Sequence, residues 1–207
     1  MADKVDLKRS VPGYRAAQGR FDELDIPERH YLAVDGHGDP NSSPAFAGAI
    51  ATLYPVAYAL KFASKTDLGR DYVVPPLEGL WWAADMDAFT TARDKSAWDW
   101  TLMLLVPSWL GEHEVAAARE RAGAKDPPRL DELRLLSLTE GRVVQTLHVG
   151  AFDEEGPVLR RLHHEYLPDH GLRLAGTHHE IYLSDVRRVP PERQRTILRQ
   201  PVEPLRS

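Results

Sequence analysis

The chain has no cysteine, so disulfides, thiolate metal centres and thiol nucleophiles are excluded, and the sequence fits a reducing compartment without requiring one. It also lacks a long uninterrupted apolar run. The longest apolar-rich segment, residues 45–63, is broken by Gly48, Thr52, Tyr54, Pro55, Tyr58 and Lys61, which predicts a buried helix rather than a membrane span. Residues 1–19 carry no signal-like apolar stretch, so the expected location is the cytoplasm, with no membrane partner. An excess of positive charge is missing too: 28% of residues are charged and the formal net charge is -5. Phosphate binding needs clustered Lys and Arg, so no nucleic-acid partner is expected, and the chain reads as a monomer or weak homodimer.

Familiar cofactor signatures are absent as well. The turn DGHGDP (35–40) lacks the glycine spacing of a dinucleotide or phosphate loop, and no serine sits in a G-x-S-x-G elbow. Of nine histidines, His163 and His164 are neighbours on a helix and point apart, His164 and His170 are six apart, and His178 and His179 lie on opposite faces of a strand. None has the same-face pairing of a zinc helix, and neither a metal nor a cofactor is expected.

What is present is a core-forming composition, 43% hydrophobic over 207 residues, which suits a single domain spanning 1–207. Residues 1–29, punctuated by Pro12, Gly13, Gly19 and Pro27, read as an irregular N-terminal arm held by Val11, Tyr14 and Phe21. A first half, 30–107, begins with a strand from Tyr31 that stops at Gly36 and Gly38. A helix follows, capped by Ser42 or Ser43 with Pro44 in its first turn, and Phe46, Ile50, Leu53, Ala57 and Leu60 recur at helical spacing. Pro55 should bend it. The extended segment 72–85 and the apolar strand WDWTLMLLVP (98–107) complete this half. Residues 108–141 form a connector with a short helix over Gly111–Gly123, its acids early and its arginines late.

The second half, 142–201, repeats the order: a strand ending at Gly150, a helix with Pro157 near its start and Gly171 beyond its end, then two strands, THHEIYLSD and RQRTILRQPV. Few residues match between the halves, so the repetition rests on element order. The fold class expected is α+β, two strand-helix-strand-strand units with antiparallel sheet and helices on one side.

Two groups of side chains stand out. Trp81, Trp82, Trp98 and Trp100 fall on two neighbouring strands; they fill a core or wall a groove for planar organic ligands. In THHEIYLSD, Ile181 and Leu183 point one way and His178, Glu180, Tyr182 and Ser184 the other. If the apolar set faces the helices, an imidazole, a carboxylate and a phenol line the open face; a merely solvated strand face would look the same. The acidic clusters at Asp22 and Asp153 read as helix starts or solvated charge.

The segments RHYLAVDGHGDPN, LYPVAYALKF, PPLEGLWWA, RVVQTLHVGAFDEEGPVLRRLHHEYLPDHGL and HEIYLSD together resemble the stand-alone branch of the GyrI-like small-molecule-binding family, over about 30–201. The resemblance implies duplicated SHS2-type units around a central ligand cleft. In related multidrug-responsive regulators this domain is attached to a DNA-binding helix-turn-helix, for which residues 1–29 are too short. The patterns LEGLWW and HEIYLSD are similar to those of cyclopropanoid hydrolases, which open the strained ring of DNA-alkylating natural products of the yatakemycin and duocarmycin kind.

Carried over, the resemblance implies that Trp81, Trp82, Trp98 and Trp100 wall the cleft and that Glu180 and Tyr182 are its polar centre; Tyr31, Glu78 and His178 are further candidate ligand contacts. Two functions compete at this point. One is a hydrolase in which Glu180 directs water and Tyr182, or else His178, donates to the leaving oxygen; the other is a module that only binds planar hydrophobic compounds.

Overall fold

The structure is a computed structural model and describes residues 4–84 and 94–205. Asp85, at the end of the expected extended segment, and the first three residues of the arm lie outside the described residues. In chain order the main elements are α1 (Leu7–Ser10), β1 (Asp22–Ile26), β2 (Arg29–His37), α2 (Pro44–Asp67), β3 (Glu78–Trp82), β4 (Asp99–Val106), α3 (Glu112–Gly123), β5 (Arg134–Leu138), β6 (Gly141–Val149), α4 (Gly156–Arg161), α5 (Leu167–Asp169), β7 (Leu172–Leu174), β8 (His178–Tyr182) and β9 (Arg195–Pro204). The fold is α+β, with antiparallel strand pairing and helices. Two compact units are distinguished, the first Met1–Val11 with Arg29–Leu138, the second Pro12–Glu28 with Thr139–Ser207.

In the first unit the strands run β3-β4-β2-β5. β4 is buried along nearly its whole length, as its unbroken apolar sequence requires of a central strand. Helix α2 turns Ala49, Leu53, Val56, Ala57 and Leu60 inward and packs on β2, β4 and α3. It runs on through Pro55. Ser43 is its N-cap but makes no side-chain capping bond. By length and composition alone α2 is long and apolar enough to cross a membrane, a test that a buried core helix also passes. Within the unit its apolar residues serve the core, and Lys61 forms an ion pair with Asp71 at 3.0 Å.

The connector 108–141 is more structured than expected. RLLSL forms β5, an antiparallel partner of β2 with Tyr31 opposite Leu136. The helix at 112–123 is present, and its Gly111 amide donates to Glu114 at 2.8 Å, supplying the N-terminal cap that glycine itself lacks.

In the second unit the strands run β1-β6-β9-β8, with β7 also paired to β9. The N-terminal arm is not irregular throughout: DELDI forms β1, with Asp22 opposite Gln145 and Ile26 opposite Gly141. Reading its acids as a helix start missed the alternation. Glu23 and Asp25 face solvent while Ile26 is buried, and Glu23 pairs with Arg142 at 2.6 Å. The helical stretch 156–169 widens into a π turn over Leu162–Tyr166, where the Leu167 amide reaches the Leu162 carbonyl. Pro168 explains this: it has no N–H, and its ring would crowd the His164 carbonyl in a regular turn. Val144, Leu162, Leu167, Leu172 and Val202 form the core on this side, with Phe21 and Tyr166 against it.

Gly36 marks a close approach rather than a strand end. It stands opposite Trp100, and a Cβ there would lie 2.0 Å from the indole ring. Gly36→Ala is therefore expected to destabilise the protein by about 1–3 kcal/mol through overpacking and to change the near-UV circular dichroism of Trp100. Unchanged melting and an unchanged aromatic signal would show that the ring has room to shift.

Candidate functional site

The first unit carries an aromatic group. Gly36, Trp100 and Trp81 form one row across β2, β4 and β3, on the face where Phe46 of α2 lies 5.1 Å from Trp100 and 6.1 Å from Trp81. Trp98 stands edge-on to Trp81 at 5.7 Å. Trp100 is fully buried and its indole N–H donates to the Gly38 carbonyl at 3.2 Å, while Trp82 is 36% exposed. Alternation places Glu78 and Trp82 on the opposite face of β3 from Trp81, and register places Tyr31 on that same opposite face of the sheet. Tyr31 and Glu78 are each 1% exposed.

The second unit carries a polar group on β8. The Tyr182 hydroxyl donates to Glu180 Oε2 at 2.8 Å, and His178 Nε2 stands 3.5 Å from Glu180 Oε1. Only 15% of the His178 side chain and 14% of Glu180 are exposed. Phe152 packs edge-on against Tyr182 at 5.6 Å. Both ring nitrogens of His178, and Nε2 of His163 in the π turn, are buried without a hydrogen-bond partner. Burial pushes the His163 imidazole down to about 4, with the nearby His178 and His164 acting in the same direction.

The alternation expected for this strand is present, but its sides are the reverse of those expected. Glu180 stands opposite Leu198, and Leu198 opposite Thr146. Continued two residues along β6 and four along β9, that face holds Val144 and Val202, against which the helical stretch packs. Glu180 and Tyr182 thus lie on the helix side of the sheet, not on an open face. The helical stretch covers the Val144–Val202 end and brings in His163.

The other face is occupied by an ionic network that sequence reading missed. His179, Arg199 and Gln145 form a row across β8, β9 and β6. Arg199, with no exposed side-chain surface, donates to Glu140 at 2.7 Å, to Gln145 at 3.1 Å and to the Gly13 carbonyl at 2.8 Å. His179 Nδ1 lies 2.9 Å from the second Glu140 oxygen. Burial pushes the Glu140 carboxyl up, but the charges and hydrogen bonds of His179 and Arg199 outweigh it and bring it down to about 2. The only signal in the sequence was an arginine in the middle of a strand whose neighbours Ile197, Leu198, Pro201 and Val202 are apolar. Its partners, at 13, 140, 145 and 179, are too scattered for any local pattern to join them.

Among the described residues, no three His, Asp or Glu side chains stand together as a metal-binding group. The group is a largely buried carboxylate that accepts from a phenol, with the His178 imidazole 3.5 Å away.

Comparison with known proteins gives the family. Among curated proteins, none matches significantly. An uncharacterized conserved protein from Listeria innocua is 36% identical, with a TM-score of 0.87 over 97% of this chain and 100% of that one. A hydrolase from Listeria innocua is 34% identical, with a TM-score of 0.83 and the same coverage. At 14% identity, EcmrR in a complex with DNA shares the fold, with a TM-score of 0.54 over 89% of this chain and 57% of that one. This corrects the expectation of no nucleic-acid partner, because the fold occurs within a protein that assembles on DNA, and net charge is too coarse a guide to rule such a setting out. Residues 20–203 match the GyrI-like small-molecule-binding domain, and with the two Listeria relatives this shows that the chain belongs to the GyrI-like family.

Proposed function

We propose that this protein binds planar, hydrophobic aromatic compounds and hydrolyses the strained ring of cyclopropanoid DNA-alkylating agents, a detoxifying activity. The observation that carries the proposal is the Tyr182–Glu180 hydrogen bond at 2.8 Å on a carboxylate only 14% exposed. It leaves the other oxygen, Oε1, for water. A relative 34% identical over 97% of the chain is described as a hydrolase, which supports the enzymatic reading.

In the reaction proposed, water attacks the cyclopropane methylene, an oxygen–carbon bond forms and a ring carbon–carbon bond breaks. The electron pair moves through the dienone to its oxygen, which becomes a phenolate. Glu180 takes the water proton, which later returns to the phenolate through solvent. Tyr182 orients the carboxylate. In this reading Trp81 and Trp98 serve as ligand contacts; Tyr31, Glu78 and Trp82 lie on the opposite face of that sheet and Trp100 is fully buried, so these four do not share the same ligand surface. The strand-helix-strand-strand order over 30–107 and 142–201 supports duplicated SHS2-type halves of one ligand-binding domain. The alternative, a binding or sensing module without catalysis, is favoured by the family's description as small-molecule binding.

A duocarmycin-type cyclopropanoid incubated with the purified protein is expected to gain one water, seen by liquid chromatography and mass spectrometry. If the ring stays intact over many hours while the compound quenches tryptophan fluorescence, the hydrolase reading fails and the binding module stands.

A further inference from the structure

We propose that His178 and His163 form the hydrogen-bond donor site for a ligand carbonyl, so that the ligands this face selects are planar conjugated ketones held through their oxygen. The proposal rests on the small-molecule reading of the same face and replaces Tyr182 as the donor. A phenol has one hydrogen, and that of Tyr182 is directed at Glu180 Oε2, 2.8 Å away.

His178 is in a different position. Both of its ring nitrogens are buried without a hydrogen-bond partner, and the approach of Nε2 to Glu180 Oε1 at 3.5 Å does not count as one. A neutral imidazole carries one N–H and one lone pair in either tautomer. His178 therefore buries an unanswered donor whichever nitrogen holds the proton, and native interiors rarely leave one so. His163 shares the feature in part: its Nε2 is buried and unanswered, and it is a donor in the tautomer that carries the proton there. The π turn at Leu162–Tyr166 carries it on the helix side of the sheet, the side that His178 also faces. Burial keeps its imidazole neutral at physiological pH, so it contributes an uncharged dipole rather than a second charge.

A ketone oxygen supplies the acceptor that His178 lacks, and its second lone pair is available to an N–H at His163 Nε2. During ring opening charge accumulates on that oxygen, and a neutral N–H···O contact becomes charge-assisted at the moment it is needed. The water proton goes to Glu180, so the imidazoles keep theirs.

The test uses 9-fluorenone and fluorene, tricyclic compounds of one shape that differ by a carbonyl in place of a methylene. The wild type is expected to bind fluorenone about tenfold or more tightly than fluorene. His178→Phe and His163→Phe should each lower that preference, and the pair together should abolish it while fluorene binding persists. His178→Gln, which restores an N–H, should recover part of it and serves if the phenylalanine variants fold poorly. Equal binding of both compounds to the wild type, or a preference that survives the double replacement, overturns the carbonyl site and leaves the small-molecule reading intact. Binding of neither compound overturns both.

Discussion

Replacing Arg199 by methionine is expected to cost about 3–5 kcal/mol of folding stability, because one partner of a buried ion pair is removed and the other stays behind. Methionine keeps the volume, so the loss is electrostatic rather than a cavity. Glu140, whose side chain is 3% exposed, would be left with His179 alone, Gln145 would lose its bond from the guanidinium, and the Gly13 carbonyl would lose its donor. The N-terminal segment depends on that last bond and on Gln145, whose amide donates to the Arg15 carbonyl at 2.8 Å. For a domain of this size the melting temperature should fall by roughly 10 °C. Adding Glu140→Gln should recover part of the loss, since no unpaired carboxylate then remains buried.

The same network sets an acid limit. Glu140 titrates in the fold at about 2, below its ordinary 4.5, so its contribution is fully present above about 4.5 and is lost as the pH falls from there toward 2. The wild type should therefore lose stability over that window, and the Arg199→Met protein should show a shallower dependence. Equal melting of variant and wild type at neutral pH would mean that the network is dispensable.

Glu180→Gln is expected to slow cyclopropanoid turnover about a hundredfold or more while leaving binding of the ring-intact compound nearly unchanged. The amide has the shape of the carboxylate and can still accept from Tyr182, so the site should keep its form. What it cannot do is take a proton from water as the new oxygen–carbon bond forms. Single-turnover rates and equilibrium binding on the same preparation separate the two effects. Turnover at the wild-type rate would remove Glu180 from the chemistry; loss of binding as well would make it a ligand contact instead. Tyr182→Phe should act more mildly, because it frees the carboxylate to rotate without removing the base.

Much of the architecture was legible because it is written in local chemistry. Alternation in HHEIY predicts two unlike faces, and the structure has them, with His179 and Ile181 buried and Glu180 and Tyr182 partly exposed. Pro44 and the helical spacing of Leu53, Ala57 and Leu60 predict the helix that spans Pro44–Asp67. Where the reading failed, the deciding contact lay far along the chain. RLLSL looked like linker because its partner, β2, lies about a hundred residues away, and DELDI looked like a solvated acidic cluster because its pairing is with residues 141–145.

The side of the sheet on which Glu180 lies shows the boundary most clearly. A period of two tells that Glu180, Tyr182 and His178 share a face, and side-chain geometry on a pleated strand makes this a property of the sequence alone. It does not tell which layer covers that face. Apolar Ile181 suggested that the helices cover its own side, but that side is instead closed by the Pro12–Gln18 segment through Gln145 and Arg199. The helical stretch packs on the carboxylate's side, bringing His163 with it. Strand order and helix position were thus of a different kind from the parity of each strand: parity is fixed by the covalent chain, whereas the covering layer is chosen by the summed burial and hydrogen bonding of segments that meet only after folding.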